Sequence, residues 1–320
     1  RQLTEAKYES MLDLADDNSS LVKFEDTYWL VGDAARGETL SLLATQPKRE
    51  TAIAKALAIV GQLVDELKGQ GGKEVQLTFG MLLPLDELKG DRLELEQRLA
   101  KALLEFEHNG ATVRVALSKR VDISPEGYGI SQTIQVETGK VFIFGHRDVT
   151  AAHVERGSVI PDKSKTFAGC GMYRLINEVE FTFKDEFDAA AAIFAAETTG
   201  KDRHLLKIAS EAELPRLKIA IAKAKEQLWL DLSTMLRLSL TGDIQQVACS
   251  GGNAHFWRPQ LKELLGPKGS YGGPLIQELK TRFPELAGSP LLGRSADNYR
   301  FWLTLPEVPV FRALEVQYAE

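Results

Sequence analysis

The chain has 320 residues, 44% of them hydrophobic and 26% charged, with a formal net charge of −6. That length suffices for two cores of ordinary domain size. The acidic balance argues against a surface that captures nucleic acid or anionic membrane unaided, because phosphate binding needs concentrated Lys and Arg. No apolar run reaches the ~18 residues of a membrane span and no signal-peptide pattern is found, so a soluble, cytoplasmic protein is expected. Cys170 and Cys249, the only cysteines, lie in apolar or Gly-rich surroundings that suit buried thiols in a reducing compartment rather than a disulfide.

The chain opens at Arg1 without Met, and its first strand-like run arrives only near Val22, so further chain upstream is expected. Leu21–Phe24 and Tyr28–Val31 flank Glu25–Asp26 as a hairpin. Arg49 to Leu67 carries Ile53, Leu57, Val60, Val64 and Leu67 at helical spacing, with Gly69 to Gly72 as the stop. Val75 to Leu83 reads as a strand closed by Pro84, Leu93 to Phe106 as a helix, and Val113 to Val121 as an alternating strand. Ile134–Val136 and Val141–Phe144 read as two strands around Thr138–Gly139, and Ala151–Val154 turns at Glu155–Ser158 into Val159–Ile160. Helices are predicted from Thr166 to Val179, Asp185 to Glu197 and Pro215 to Leu240, the last with Pro in its first turn. A Gly/Pro-rich connector, Gly266 to Pro274, and a closing segment, Asp297 to Glu320, complete the chain.

The run Gln246–Val247–Ala248–Cys249–Ser250–Gly251–Gly252–Asn253–Ala254 carries the most chemistry. A short apolar strand runs into paired glycines and then an expected helix. Glycines let backbone amides approach a ligand that a Cβ would block, and a helix N-terminus favours negative charge. The bland alternative is a tight strand-to-helix turn. Other site signatures are missing: there is no Gly-x-x-x-x-Gly-Lys-[Ser/Thr] loop, no Gly-x-Ser-x-Gly elbow, and no metal-ligand spacing among the five histidines.

Several segments in order resemble the ParM/StbA-type plasmid-segregation proteins, bacterial relatives of actin. Tyr28–Trp29–Leu30–Val31–Gly32–Asp33–Ala34–Ala35 resembles the VGxxA signature of their first domain. Val121–Asp122–Ile123–Ser124–Pro125–Glu126–Gly127 is similar to the Pro-Glu turn before the second half. Val141–Phe142–Ile143–Phe144–Gly145, followed by Thr150, is similar to the second phosphate hairpin. Thr166–Phe167–Ala168–Gly169–Cys170–Gly171 resembles a Gly-rich helix start, and Ser250–Gly251–Gly252–Asn253–Ala254 the adenosine loop. Arg294–Ser295–Ala296–Asp297–Asn298–Tyr299 resembles the segment that returns to the first domain.

The resemblance implies an α/β, two-lobed actin-like (ribonuclease-H-like) fold with a nucleotide cleft. Residues 1–137 would form domain I, 138–289 domain II, and 290–320 a segment returning to domain I. It implies a filament-forming protein that binds ATP or ADP with Mg²⁺, assembles with itself, and reaches DNA through a DNA-binding adaptor. Glu126 would orient the attacking water. Gly145, His146, Arg147, Asp148, Gly169, Gly171, Ser250, Gly251, Gly252 and Asn253 would line the nucleotide.

The chain departs from that pattern in two places. The family's first Asp-x-Gly hairpin with its Lys is not found, and Ile143 stands where the second hairpin's metal-organising Asp is expected. Asp148 is the candidate compensation, and Arg147 the candidate replacement for the metal by direct charge contact; turn-capping and solvent-facing roles are the alternatives. Two other readings compete with an ATP-hydrolysing filament protein: a degenerate actin-like scaffold with weak or no hydrolysis, and a small-molecule kinase of the same superfamily.

Overall fold

The computed structural model describes residues 1–12, 18–36, 48–69, 75–88, 92–271, 273–286 and 291–305. Residues 70–72 of the expected helix stop, Gly272 of the connector and 306–320 of the closing segment lie outside them. Regular structure begins well before Val22. A short strand, β1 (Gln2–Leu3), pairs antiparallel with Tyr28–Trp29, and α1 (Glu5–Ser10) is capped by Thr4, whose side chain accepts from the Lys7 N–H. The apolar content of this stretch is too low for periodicity to reveal it.

The alternating pattern around Glu25–Asp26 forms the predicted hairpin of β2 (Ser19–Phe24) and β3 (Thr27–Gly32). Helix α2 (Lys48–Gly69) follows the predicted spacing and buries Leu57, Val60 and Val64 in a core shared with Val22 and Phe106. The run 75–83 is two strands rather than one, β4 (Gln76–Leu77) and β5 (Gly80–Leu83), because each takes a different parallel partner. Then come α3 (Leu85–Leu88) and α4 (Arg92–Leu104), the latter ending two residues earlier than expected. Phe106 instead lies in β6 (Glu105–His108), where its ring enters the core between solvent-side glutamates.

The alternation over 113–121 likewise splits. β7 (Ala111–Arg114) folds back on β6, whereas β8 (Ala116–Leu117) pairs with β4 and β9 (Asp122–Pro125) with β5. A two-residue period shows which face a side chain takes but not which neighbour its strand chooses. The first sheet therefore runs β1-β3-β2-β6-β7.

A single turn of helix, α5 (Tyr128–Ser131), leads to the second sheet. Ile134–Val136 is not a strand: the amides of Thr133 and Ile134 bond to Ile130 and Ser131, and Ile134 is buried as a plug in the core. The hairpin thus turns at Gly145–Asp148, not at Thr138–Gly139, and joins β10 (Thr138–Phe144) to β11 (Val149–Glu155). β12 (Ser158–Phe167) continues the meander and contains Thr166 and Phe167, which were expected to open a helix.

Helices α6 (Met172–Glu178), α7 (Glu186–Thr199) and α8 (Leu214–Ser239) cover one face of this sheet. β13 (Gln246–Ser250) then inserts parallel to β10, and with the later two-residue strand β14 (Gly269–Ser270) the order is β12-β11-β10-β13-β14. The helix expected directly after Gly251–Gly252 starts later, as α9 (Arg258–Leu265), with turns over the intervening residues. It precedes β14 (Gly269–Ser270), α10 (Gly273–Arg282) and α11 (Leu291–Trp302).

The continuous apolar run Val141–Phe144 follows from burial on both faces. Phe142 and Phe144 pack under α6–α9, while Val141 and Ile143 face Ile130, Leu275, Leu292 and Tyr299. Cys170 and Cys249 are buried free thiols. Among the described residues, no helix is long and apolar enough to cross a membrane.

Candidate functional site

A cavity of about 660 Å³ opens between the two sheets. Lys48, Thr51 and Lys55 of α2 and Glu126 line one side, and Gly145, His146, Arg147 and Asp148 line the other. At Gly251 and Gly252 it meets a second cavity of about 350 Å³, whose walls include Thr198, His255, Arg258, Tyr271 and Lys280. The fold thereby brings together Glu126, the hairpin turn and the Gly-Gly loop, which are distant in sequence.

The turn is built for close approach. The Gly145 N–H donates to the Asp148 carbonyl at 2.9 Å, closing the hairpin, and Asn253 donates from Nδ2 to the Gly145 carbonyl at 2.7 Å. Gly251 has φ +92° and lies so near Phe144 that an added Cβ would sit 2.6 Å from its carbonyl oxygen. Glycine is required there on both counts. Gly171 is equally constrained by space: a Cβ would meet the His146 carbonyl at 2.3 Å, and its N–H donates to the Arg147 carbonyl.

Gly169 and Gly171, expected to line the nucleotide, line neither cavity; the exposed Gly169 N–H donates to Asp148 Oδ1 at 3.0 Å and so supports the turn from behind. Ser250 is buried at the end of β13, paired in register with Ile143. The His146 ring stacks on Phe187 at 5.1 Å rather than pointing as a lone cation into the cleft.

Arg147 is held by two carboxylates. Its Nε donates to Asp148 at 2.6 Å, and its Nη2 crosses the cleft to Glu87 of α3 at 2.9 Å. Burial alone would lower its pKa, but Asp148 and Glu87 more than offset this and raise it. Glu87 also accepts from the Arg49 N–H at 2.7 Å, which ties the start of α2 into the same cluster.

Both Asp148 oxygens are thus engaged, one by Arg147 and one by the Gly169 amide. Ile143, 8% exposed, offers no ligand atom. Among the described residues no three His, Cys, Asp or Glu side chains converge as a metal site.

Glu126 follows β9, its N–H bonded to the Leu83 carbonyl, and its carboxylate accepts from Lys48 Nζ at 2.5 Å. The next residue, Gly127, donates to the buried Asp297 carboxylate of α11 at 2.6 Å, and Ile130 donates to the same side chain at 2.9 Å. Burial, aided by the Glu126 charge, pushes Asp297 up to about 6 although these amides favour its ionised form.

Lys48, Lys55, Glu87 and Tyr271 were not singled out in the sequence. The seven-residue spacing of Lys48 and Lys55, which places them on one helix face, was the available signal. For Glu87 and Tyr271 there was none, because their roles arise from contacts across the fold.

A buried Ser20–His108–Asp65 relay, with separations of 3.1 and 2.8 Å, has the atom partners of a hydrolytic triad. Ser20 is 1% exposed in the middle of β2, so no substrate reaches its hydroxyl; the relay locks β2 to β6 and α2.

No protein-family model and no curated protein sequence matches the chain. Solved structures do. The actin-like protein Alp7A is similar with a TM-score of 0.57 and 11% identity, over 94% of this chain and 88% of that one. The filament structure of AlfA from B. subtilis plasmid pLS32 gives 0.54 and 10%, over 92% and 85%. Ta0583, an archaeal actin homolog, gives 0.51 and 14%, over 89% and 87%. At these identities the likeness is one of fold, and it agrees with the order of motifs along the sequence. The chain has the two-lobed actin-like fold.

Proposed function

We propose that the paired cavities bind a nucleoside triphosphate or diphosphate, and that the chain is a filament-forming actin-like protein acting in plasmid or DNA segregation. The observation that carries this reading is the junction of the two cavities at Gly251–Gly252, beside the Gly145–Asp148 turn. An elongated ligand fits there with a base in the smaller cavity and phosphates in the interlobe cleft. The Tyr271 hydroxyl is buried without a hydrogen-bond partner among the described residues, and it lines the base side. A purine offers the acceptor or donor that this hydroxyl lacks.

In this reading Gly145, Gly251 and Gly252 leave room for the ligand to approach the backbone, with Asn253 fixing the loop to the turn. Glu126 supplies the acceptor that orients water on the terminal phosphate. Mg²⁺ would arrive with the nucleotide and be held chiefly by its phosphates, since Ile143 and the engaged Asp148 offer little coordination. Hydrolysis is accordingly slow. The lobes divide near residue 137, and α11 returns to the first lobe; Phe301 of α11 packs so closely on Gly80 of β5 that a Cβ there would lie 2.8 Å from its ring. DNA is reached through an adaptor protein, consistent with the net charge of −6.

The paired state of Arg147 and Asp148 favours one alternative, an actin-like scaffold that binds nucleotide without turning it over. Calorimetric titration with ATP, ADP and GTP, followed by electron microscopy of the loaded protein, tests the proposal. Micromolar binding with filaments that form only with triphosphate supports it; filaments without nucleotide dependence favour the scaffold; neither binding nor filaments refutes both.

A further inference from the structure

Lys55 stands out among the groups lining the cleft. It lies two turns along α2 from Lys48, on the same helix face, and lines the interlobe cavity with Lys48 and Arg147. Lys48 is paired with Glu126, and Arg147 with Glu87 and Asp148. Lys55 makes no hydrogen bond or ion pair with any described residue.

Its electrostatic neighbours are Lys48 and Arg147, which repel it, and Glu87, which attracts it but is already shared by Arg147 and the Arg49 amide. Lys55 is exposed on the cavity wall, and a cation with no ion-pair partner among the described residues, set beside two other cations, favours an anion. Desolvation, reinforced by Lys48, holds Lys55 below the ordinary lysine value, so a bound anion would relieve the cost of its charge.

We propose that Lys55, assisted by Lys48, is a binding site for the oligophosphate of a nucleotide, on the α2 wall of the cleft across from the Gly145–Asp148 turn. This rests on the nucleotide reading above and adds the first lobe's share of the grip. The ligand class is an oligophosphate rather than a carboxylate. The opposite wall carries Gly145, Gly251 and Gly252, where no Cβ blocks the close approach of a phosphate, and the cavity continues into the smaller one, which leaves room for a nucleoside. A phosphate reaching Lys55 also lies within the field of Lys48. It would compete with Glu126 for that ammonium and leave the Glu126 carboxylate free to hold water.

The test uses three probes on the full chain: ATP, inorganic tripolyphosphate and adenosine. Calorimetry should find that Lys55→Gln weakens ATP and tripolyphosphate by about tenfold or more, as expected for one charge-assisted contact. Adenosine binding should be unchanged, and Lys55→Arg should restore most of the loss. The same variant should show a shallower dependence of ATP affinity on salt. Because Lys55 is exposed and pairs with no described residue, Lys55→Gln should keep the parent's melting temperature.

If the parent binds ATP and Lys55→Gln binds it equally well, the Lys55 site is refuted while the nucleotide reading stands. If tripolyphosphate binds through Lys55 but adenosine and ATP add nothing, the anion site stands and the nucleotide reading fails. A parent that binds none of the three refutes both.

Discussion

The Asp297 carboxylate accepts the Gly127 N–H at 2.6 Å, so a residue near the end of the described chain fixes the peptide next to Glu126. The bond makes α11 a strap across the start of α5 and positions the turn that carries the candidate water-orienting carboxylate.

A pH dependence follows. Asp297 is raised from the ordinary 3.8 to about 6, so its contribution to stability is fully present below the unfolded value and is lost as pH rises through about 6. A shift of about two units corresponds to roughly 3 kcal/mol. Urea unfolding of the parent and Asp297→Asn should therefore diverge between about pH 4 and pH 7, the variant gaining relative stability as pH rises. Parallel profiles would show that Asp297 ionises as freely in the folded chain as in the unfolded one.

Glu126→Ala removes the acceptor proposed to hold water and releases Lys48 from its ion pair. ATP turnover should fall by about tenfold or more while ATP affinity holds or rises, since a transition-state contact is lost and a phosphate-seeking cation is freed. Single-turnover hydrolysis and calorimetry separate the two effects, and equal turnover in parent and variant would reduce Glu126 to a turn residue.

The paired glycines should behave differently. Gly251→Val forces a branched side chain into φ +92° against the Phe144 backbone and should cost more than about 2 kcal/mol of stability. Gly252→Val, at the junction of the cavities, should leave the melting temperature nearly unchanged and weaken ATP binding instead. Thermal melts with and without ATP distinguish them; loss of folding in both would place Gly252 in the core rather than at a ligand.

Arg147 and Glu87 join the two walls of the cleft with side chains about a fifth and a tenth exposed. A double-mutant cycle with Arg147→Met and Glu87→Gln should give a coupling of roughly 1–3 kcal/mol in unfolding free energy. A coupling near zero would mean that solvent screens the pair and that the lobes are not joined there.

The sequence made the second sheet readable because its chemistry is local. The run Val141–Phe144 announces a strand buried on both faces, and Gly251–Gly252 announces a close approach, each through residue type alone. Ile134–Val136 misled because three apolar residues fit a strand and a buried plug equally well, and only the hydrogen bonding of Thr133 and Ile134 to α5 decides. The helix after Gly252 was displaced to Arg258 because turns in between satisfy the same backbone groups. At the site, Arg147 and Asp148 were legible as a charged turn. Their mutual pairing and the reach to Glu87, 60 residues earlier, were not, because no local period encodes a contact across a cleft.

The Arg147–Glu87 bridge spans the cavity and joins its two walls through one ion pair. A ligand that draws Arg147 from Glu87 changes how freely the two walls move. By thermodynamic reciprocity, whatever grips both walls from outside must change the ligand's affinity by the same factor. If the proposed nucleotide and a neighbouring subunit both engage the two walls, each would therefore alter the other's affinity through one guanidinium group.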